Sequence, residues 1–107
     1  MSRPLHFNAF LMNTASHIHH GQWRHPDARQ DEFNTLGLWT ELARTLEDGL
    51  FDAMFFADVT GLYGPAGGDY AANAAEGLQI PSNDPAILLG ALAATTRRIG
   101  LAYTSNV

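Results

Sequence analysis

Three short apolar segments alternate along this chain with two segments whose apolar residues repeat at helical spacing. The apolar segments cover residues 5–12, 51–57 and 99–104, and the helical repeats cover residues 35–48 and 85–96. In residues 5–12 both alternating sets of side chains are largely apolar, which predicts a strand that is buried on two faces. The order strand, helix, strand, helix, strand predicts an α/β fold with a parallel sheet. Right-handed crossovers would place both helices on the same side of that sheet.

The first helical segment shows apolar residues at steps of three and four, with charged residues on the opposite face. Such spacing is typical of an amphipathic helix that packs on a sheet. Gly49 is predicted to end this helix, because glycine readily adopts the left-handed conformation found at helix ends. The predicted apolar stripe consists of Leu36, Trp39, Ala43, Leu46 and Leu50.

The second helical segment has a well-defined predicted start. Asp84 can accept hydrogen bonds from free amides at the helix start, and Pro85 suits the first helical position. Arg97 and Arg98 follow the segment, where the negative end of the helix dipole favours cations. The predicted apolar stripe consists of Ile87, Leu88, Ala91, Leu92 and Thr95.

The predicted loops differ in length according to the element that they follow. Residues 14–30 and 58–83 follow strands and are long, whereas the segments after the helices are short. In parallel α/β folds the loops after the strands build the functional site. The third strand has no helix behind it, so we expect residues 1–107 to be the N-terminal segment of a larger single domain.

Composition excludes several classes of function. The chain has 107 residues, 46% of them hydrophobic, no Cys, and 11 acidic against six basic residues, for a net charge of -5. The cations are scattered, which argues against a nucleic-acid surface. No apolar run approaches the roughly 18 residues of a membrane span, and no secretory signal is recognisable. These features predict a cytoplasmic protein that binds neither nucleic acid nor membrane.

The glycine-rich segment after the second predicted strand does not match a phosphate-binding loop. It contains Gly61, Gly64, Gly67 and Gly68 but lacks a G-K-[ST] ending, and Asp69 would repel a phosphate. A flexible lid is therefore favoured. The G-x-G-x-x-G pattern is also absent after the first strand, which lowers the odds of a Rossmann dinucleotide fold.

Four histidines crowd the first long loop, namely His17, His19, His20 and His25. A histidine near a cleft can donate a proton or a hydrogen bond, because its ordinary pKa lies near neutrality. His17 and His19 also have the H-x-H spacing of metal ligands in hydrolase barrels. A surface role, a catalytic or cofactor role and a metal-binding role therefore all remain open for this cluster.

Two further positions combine with the cluster to suggest a site. Asp58 and Thr104 end the second and third predicted strands, so both would lie on the rim where barrel sites are assembled. A capping role for Asp58 and a strand-forming role for Thr104 are equally compatible with the spacing. Trp23, followed by Arg24, could anchor the first loop or form an aromatic wall beside a planar ligand.

Five motifs in order along the chain resemble the bacterial-luciferase-like flavin monooxygenases. The resemblance is to the branch of nitrilotriacetate, dibenzothiophene-sulfone and dimethyl-sulfide monooxygenases, and it covers nearly all of the chain. The motifs are S-H-I-H-H-G-Q-W-R-H-P (16–26), L-E-D-G-L-F-D (46–52), F-F-A-D (55–58), N-D-P (83–85) and R-I-G-L-A-Y-T (98–104).

This resemblance implies a (β/α)8 TIM-type barrel, of which the chain provides the first three strands and two helices. It further implies that the protein takes reduced FMN from a separate NADH-dependent flavin reductase and uses O2 to oxygenate a small organic substrate. Asp58 and Thr104 correspond to cofactor-binding residues, and His17 to the catalytic histidine, with His19 and His20 as open alternatives. The residues that hold the FMN phosphate in this family lie downstream of Val107.

Two other functions stay open beside this one. The first is a metal-dependent hydrolase barrel with His17 and His19 as ligands, although the resemblance itself implies no metal. The second is a non-catalytic flavin-binding or subunit-interaction module. We also expect the full-length chain to form a homo-oligomer.

Overall fold

The computed structural model describes residues 3–17, 19, 21–59, 61–62 and 70–105. Strands and α-helices alternate within these ranges, and two short 3₁₀ helices cover Gln22–Arg24 and Gln30–Asn34. The strands are β1 (Asn8–Met12), β2 (Ala53–Ala57) and β3 (Gly100–Tyr103), and the helices are α1 (Leu36–Asp48), α2 (Ala71–Glu76) and α3 (Pro85–Thr95).

The three strands form one parallel sheet in the order β1-β2-β3. Phe10 of β1 lies opposite Phe55 of β2, which in turn lies opposite Ala102 of β3. The predicted α/β fold with parallel neighbouring strands is therefore confirmed. The carboxyl ends of all three strands lie at one edge of the sheet, which we call the carboxyl edge.

One face of the sheet carries the hydrophobic core. Met54 and Phe56 of β2 are fully buried there and contact residues of both long helices. The Trp39 ring of α1 meets the Phe56 ring edge-on at a centroid distance of 5.4 Å. Both helices thus cover the same face, as predicted. The buried members of this core are Trp39, Ala43, Met54, Phe56, Leu88, Leu92 and Ile99.

The second face of the sheet is uncovered within the described residues, and β1 is shorter than predicted. Residues 5–7 lie outside the strand, and Phe10 on this face is 55% exposed. Among the described residues α1 and α3 supply a layer on only one face, so burial of β1 on both faces stays a prediction. Alternation along β2 places Phe55 on this second face as well.

The ends of the predicted apolar stripes also differ from expectation. Leu36 and Leu50 lie at or beyond the ends of α1 and are 52% and 75% exposed, while Ile87 of α3 is 83% exposed. The sequence of α3 is apolar on all sides, so the pattern alone does not select its buried face. Of the predicted stripe, packing on the sheet buries Leu88 and Leu92 and leaves Ile87 exposed.

The end of α1 uses glycine in a different way from that predicted. Gly49 has a φ of -76°, and the left-handed residue is Leu50, with a φ of 62°. Phe51 N donates to Leu46 O and Leu50 N donates to Glu47 O, which is the Schellman arrangement. A Cβ on Gly49 would approach Thr45 O to 3.2 Å, so close packing rather than backbone conformation favours glycine there.

The start of α3 follows the prediction. Asp84 Oδ1 accepts a hydrogen bond from Ala86 N at 2.8 Å, and Pro85 occupies the first helical position. The short connection from α3 to β3 is held by α1, because Glu47 Oε1 accepts hydrogen bonds from the main-chain N–H groups of Arg97, Arg98 and Ile99.

The two long loops are joined to each other by their main chains. Thr14 forms an antiparallel bridge with Ser82, and Ser16 forms a parallel bridge with Leu78. Residues 58–83, predicted to be a loop, also contain the helix α2. This six-residue helix of mostly alanine lacks the amphipathic repeat by which the longer helices are recognised. Within the described residues, no helix is long and apolar enough to cross a membrane.

Candidate functional site

Asp58 and Thr104 meet at the carboxyl edge. Asp58 N donates a hydrogen bond of 2.7 Å to Thr104 Oγ1, whose hydroxyl also lies 3.4 Å from Asp58 O. Thr104 N donates to Phe56 O at 3.0 Å, which extends the pairing of β2 and β3 beyond the last strand residue. The structure therefore brings these two predicted site residues together, and the Thr104 hydroxyl acts on the main chain of Asp58.

His17 lies over the second face of the sheet. Its ring centroid is 5.6 Å from that of Phe10, and Phe10 is 5.8 Å from Phe55. The three rings form an aromatic row that begins at the first long loop and reaches the middle of the sheet. Partial burial lowers the pKa of His17 below the ordinary value of 6.5, because desolvation penalises the imidazolium. The ring is therefore mainly neutral at pH 7.

A cleft of about 970 Å³ lies beside β1 and the first long loop. Its lining is mostly apolar and includes Met12, Trp23, Phe33 and Trp39, with His17 and His19 among the polar residues. His19 itself is exposed. An apolar cleft with a few polar groups is the usual form of a small-molecule site.

The metal-binding alternative requires further ligands beside His17 and His19. Among the residues that the structure describes, no group of three or more His, Cys, Asp or Glu side chains is placed to hold a metal ion. His25 and Asp27 interact with each other, the His25 Nδ1 to Asp27 Oδ2 distance being 3.8 Å. His20, a member of the predicted cluster, lies outside the described residues.

A smaller cavity of about 400 Å³ lies at the carboxyl end of β2. Asp58, Leu62, Gln79 and Ser82 contribute to its wall. Gln79 is only 4% exposed, and its Oε1 atom has no hydrogen-bond partner within the described residues. Sequence reasoning missed Gln79, because a glutamine in a polar loop gives no local signal of burial.

Trp23 and Arg24 anchor the first loop to the second. Trp23 Nε1 donates to Glu76 O at 2.8 Å, and Arg24 bonds Glu76 Oε2 and Ala75 O, each at 2.9 Å. The Arg24 guanidinium also lies 4.8 Å from the Trp23 ring centroid. Of the two roles considered for Trp23, the geometry supports anchoring. We call this group of contacts the loop clasp.

Most of the glycine-rich segment, with Gly64, Gly67 and Gly68, lies outside the described residues. The lid predicted for this segment therefore stays a prediction.

Known monooxygenases are similar in sequence to nearly all of this chain. No family model matches the chain. Over 104 residues, 97% of its length, the chain is 44% identical to the long-chain alkane monooxygenase of Geobacillus thermodenitrificans. It is 37% identical over its whole length to the dimethyl-sulfide monooxygenase of Hyphomicrobium sulfonivorans. The chain belongs to the bacterial luciferase-like FMN-dependent monooxygenase family.

Solved structures of luciferase-like proteins superimpose on nearly the whole of this chain. The long-chain alkane monooxygenase superimposes with a TM-score of 0.93 and the dimethyl-sulfide monooxygenase with 0.91, over 98% and 96% of this chain. The chain spans about a quarter of the length of these relatives, 24% and 22% respectively. Its three parallel strands and their helices are thus a part of the luciferase-like TIM barrel.

A third related structure carries a flavin. A riboflavin lyase solved with modified FMN and riboflavin is 35% identical and superimposes with a TM-score of 0.87 over 97% of this chain. The residues of the present site fit such a group. The aromatic row offers an apolar surface to a planar ring, and the unpartnered Gln79 Oε1 lacks a donor that a flavin ring N–H can supply.

Proposed function

We propose that this chain supplies the first three strands of one complete (β/α)8 barrel, a monooxygenase that uses reduced FMN and O2 to oxygenate a small organic substrate. A separate NADH-dependent flavin reductase supplies the reduced FMN, and the complete protein forms a homo-oligomer in the cytoplasm. Membership of the luciferase-like family supports the reaction class. The carboxyl edge of a barrel is also where such active sites are assembled.

The observation that carries the proposal is the contact between Asp58 and Thr104 at the ends of neighbouring strands. Both residues match motifs of the flavin monooxygenases, and the main-chain N–H of Asp58 donates a hydrogen bond of 2.7 Å to the Thr104 hydroxyl. Asp58 and Thr104 are proposed to hold the flavin. Their rigid placement on strand ends suits a binding site better than placement in a mobile loop would.

His17 is proposed to act beside the flavin. Reduced FMN, when bound, supplies the activation of O2, and the protein excludes water and orients the substrate. Because the His17 ring is mainly neutral, one ring nitrogen can donate a hydrogen bond while the other accepts one. The Phe10 ring lies beside the histidine, which is partly desolvated, and partial desolvation strengthens its polar contacts.

The test of this proposal uses the complete protein, Asp58→Ala and Asp58→Asn, with Asp48→Ala as the control. Asp48 is an exposed carboxylate at the end of α1. Anaerobic titration with reduced FMN measures binding, and product formed per flavin oxidised measures coupling. A hydrogen bond to a charged group contributes about 1.5 to 3 kcal/mol, so Asp58→Ala should weaken binding roughly tenfold or more, or reduce coupling.

Unchanged flavin affinity and unchanged coupling in both Asp58 variants would contradict the role of Asp58. Failure of the unaltered protein to bind reduced FMN would contradict the proposed function itself. The names of the matched relatives give the substrates to test, namely long-chain alkanes, dimethyl sulfide, dibenzothiophene sulfone and nitrilotriacetate. Turnover also separates a monooxygenase from a flavin-binding module without activity.

A further inference from the structure

Gln79 combines two unfavourable features in one residue. Its side chain is almost completely buried, yet Oε1 has no hydrogen-bond partner within the described residues. Within the described part of the chain, its Nε2 atom donates only to Met12 Sδ, at 4.0 Å, and a thioether sulfur is a weak acceptor. A buried carboxamide without partners is destabilising, because the group loses its hydrogen bonds to water and gains none in return.

The backbone of Gln79 is also strained. Its φ of 57° lies in the left-handed region, which side chains other than glycine, Asn and Asp rarely adopt. Strained residues with unsatisfied polar groups cluster at binding sites, where the surrounding structure holds them in place. Each feature alone is uncommon in a folded protein, and their coincidence at one position points to a function.

Neighbouring contacts hold the main chain of Gln79 in its strained conformation. Its main-chain N–H donates to Ser16 O at 2.9 Å, and the preceding residue, Leu78, forms the bridge with Ser16. Further along the loop, Asn83 N donates to Asn13 O at 2.9 Å. The segment is therefore fixed to the end of β1 on both sides of Gln79. The first long loop thus holds Gln79 in place in the wall of the 400 Å³ cavity.

That cavity also contains Asp58. Because the contact with Met12 Sδ is weak, the carboxamide loses little by turning toward the cavity. A ligand that offers an N–H or O–H group there would supply the missing partner. Flavin rings carry N–H groups, one of them in both redox states and another only after reduction.

We propose that Gln79 Oε1, buried without a partner in the cavity wall beside Asp58, accepts a hydrogen bond from an N–H group of the bound flavin ring. This inference rests on the proposed function. It adds a cofactor-contacting residue from the second long loop to the residues at the strand ends. A bound flavin would supply the missing partner of Oε1, whereas the positive φ of Gln79 would remain.

The experiment compares Gln79→Leu with Gln79→Glu in the complete protein. Leucine keeps the approximate size of the side chain and removes both polar atoms, whereas glutamate keeps an acceptor. Asp48→Leu, at an exposed position at the end of α1 and away from both cavities, is the control. Two quantities are measured: the thermal midpoint of the flavin-free protein, and the dissociation constants of oxidised and reduced FMN.

We expect the flavin-free Gln79→Leu protein to be as stable as the unaltered protein or more stable, because the unsatisfied amide is gone. Its dissociation constant should rise about threefold to tenfold, the effect of one neutral hydrogen bond. A rise for both redox states indicates the N–H that is always present, and a rise for reduced FMN alone indicates the one formed on reduction. Gln79→Glu should retain more affinity than Gln79→Leu.

A lower thermal midpoint with unchanged dissociation constants would overturn the proposal and assign Gln79 a structural role, such as holding a buried water. The proposed function would survive that result, because the unaltered protein would still bind flavin. If the unaltered protein binds no FMN, both the proposed function and this inference fail.

Discussion

The hydroxyl of Thr104 and the main-chain N–H of Asp58 are joined by a hydrogen bond of 2.7 Å. This contact fixes the end of β3 to the residue that follows β2. A threonine at the end of a strand thereby sets the main-chain position of a carboxylate that is 46 residues away in sequence. The two proposed flavin-binding residues are consequently coupled, and a change in one is expected to alter the other.

Replacement of Thr104 by valine tests this coupling. Thr104→Val keeps the β-branched shape but leaves Asp58 N without its acceptor, so we expect a loss of about 0.5 to 1.5 kcal/mol in the free energy of unfolding. Flavin affinity should fall at the same time, and Thr104→Ser should preserve both properties. Urea unfolding and flavin titration measure them. A valine variant with unaltered stability would show that the contact contributes nothing.

The loop clasp makes a prediction about Gly77. Gly77 has a φ of 63°, and a Cβ there would lie 3.4 Å from Trp23 Nε1. Gly77→Ala should therefore destabilise the protein by about 1 kcal/mol or more through backbone strain and through displacement of the Trp23 ring. Gly61→Ala is the control, because no atom of the described residues lies within 4 Å of its Cβ position.

A double-mutant cycle with Trp23→Phe separates these two causes. Trp23→Phe removes the hydrogen bond to Glu76 O and leaves an aromatic ring in place. If Gly77→Ala acts partly through the clasp, the two unfolding free-energy changes will sum to more than that of the double variant. Strict additivity would show that backbone strain alone explains the Gly77→Ala effect.

The local sequence predicted the helices and strands of this fold better than it predicted which of their side chains are buried. The start of α3 was predictable because Asp84 and Pro85 act on the first helical turn itself. The exposure of Ile87 was not predictable, because α3 is apolar on all sides and only packing on the sheet selects a face. The left-handed position at the end of α1 fell on Leu50 rather than Gly49. A glycine can indicate either a left-handed backbone or close packing, and a Cβ on Gly49 would lie 3.2 Å from Thr45 O.

The candidate site likewise contains residues that the sequence could place and one that it could not. Asp58 and Thr104 could be placed at the carboxyl edge, because parallel strands bring their ends together. Gln79 could not, since its burial depends on contacts with Ser16 and with Met12, which is 67 residues away in sequence. The flavin-binding and catalytic roles of Asp58, Thr104 and His17 stay predictions.

Glu47 makes the fold sensitive to acid. Hydrogen bonds from the main-chain N–H groups of Ile99, Arg97 and Arg98 lower the pKa of its carboxyl below the ordinary value of 4.5. The stabilisation is therefore fully present above pH 4.5 and is lost as the pH falls through the lower pKa of the folded protein. Glu47→Gln should reduce stability at pH 7 and flatten this acid-dependent loss, measured by urea unfolding between pH 3 and pH 7.

Asp48→Asn is the control for Glu47, because it removes a neighbouring exposed carboxylate from the same helix end. Its stability profile against pH should follow that of the unaltered protein. An acid-dependent loss of the same size in Glu47→Gln would assign the effect to another carboxylate, such as Asp52, whose pKa is lowered by hydrogen bonds from His6 and Phe7 N.

His17 gives the most direct prediction about catalysis. His17→Phe keeps an aromatic ring beside Phe10 and removes the only polar group of the aromatic row, so the fold and much of the FMN binding should persist. The yield of product per flavin oxidised should fall, with hydrogen peroxide released instead. Positioned proton donors typically contribute roughly 10²- to 10⁴-fold in rate. Product and peroxide assays measure the change, and His19→Phe, at an exposed position of the same cluster, is measured in parallel as the open alternative.

The pH dependence of stability provides a second measurement on the same variant. Because desolvation lowers the pKa of His17 in the folded protein, the unfolded chain binds the proton more readily. The contribution of neutral His17 to stability is then fully present above pH 6.5 and is lost as the pH falls through the pKa of the folded protein. His17→Phe should remove that part of the acid-dependent loss.

Normal coupling in His17→Phe together with impaired coupling in His19→Phe or His20→Phe would move the catalytic role to another histidine of the cluster. Loss of a stoichiometric bound metal in His17→Phe would instead support the hydrolase alternative.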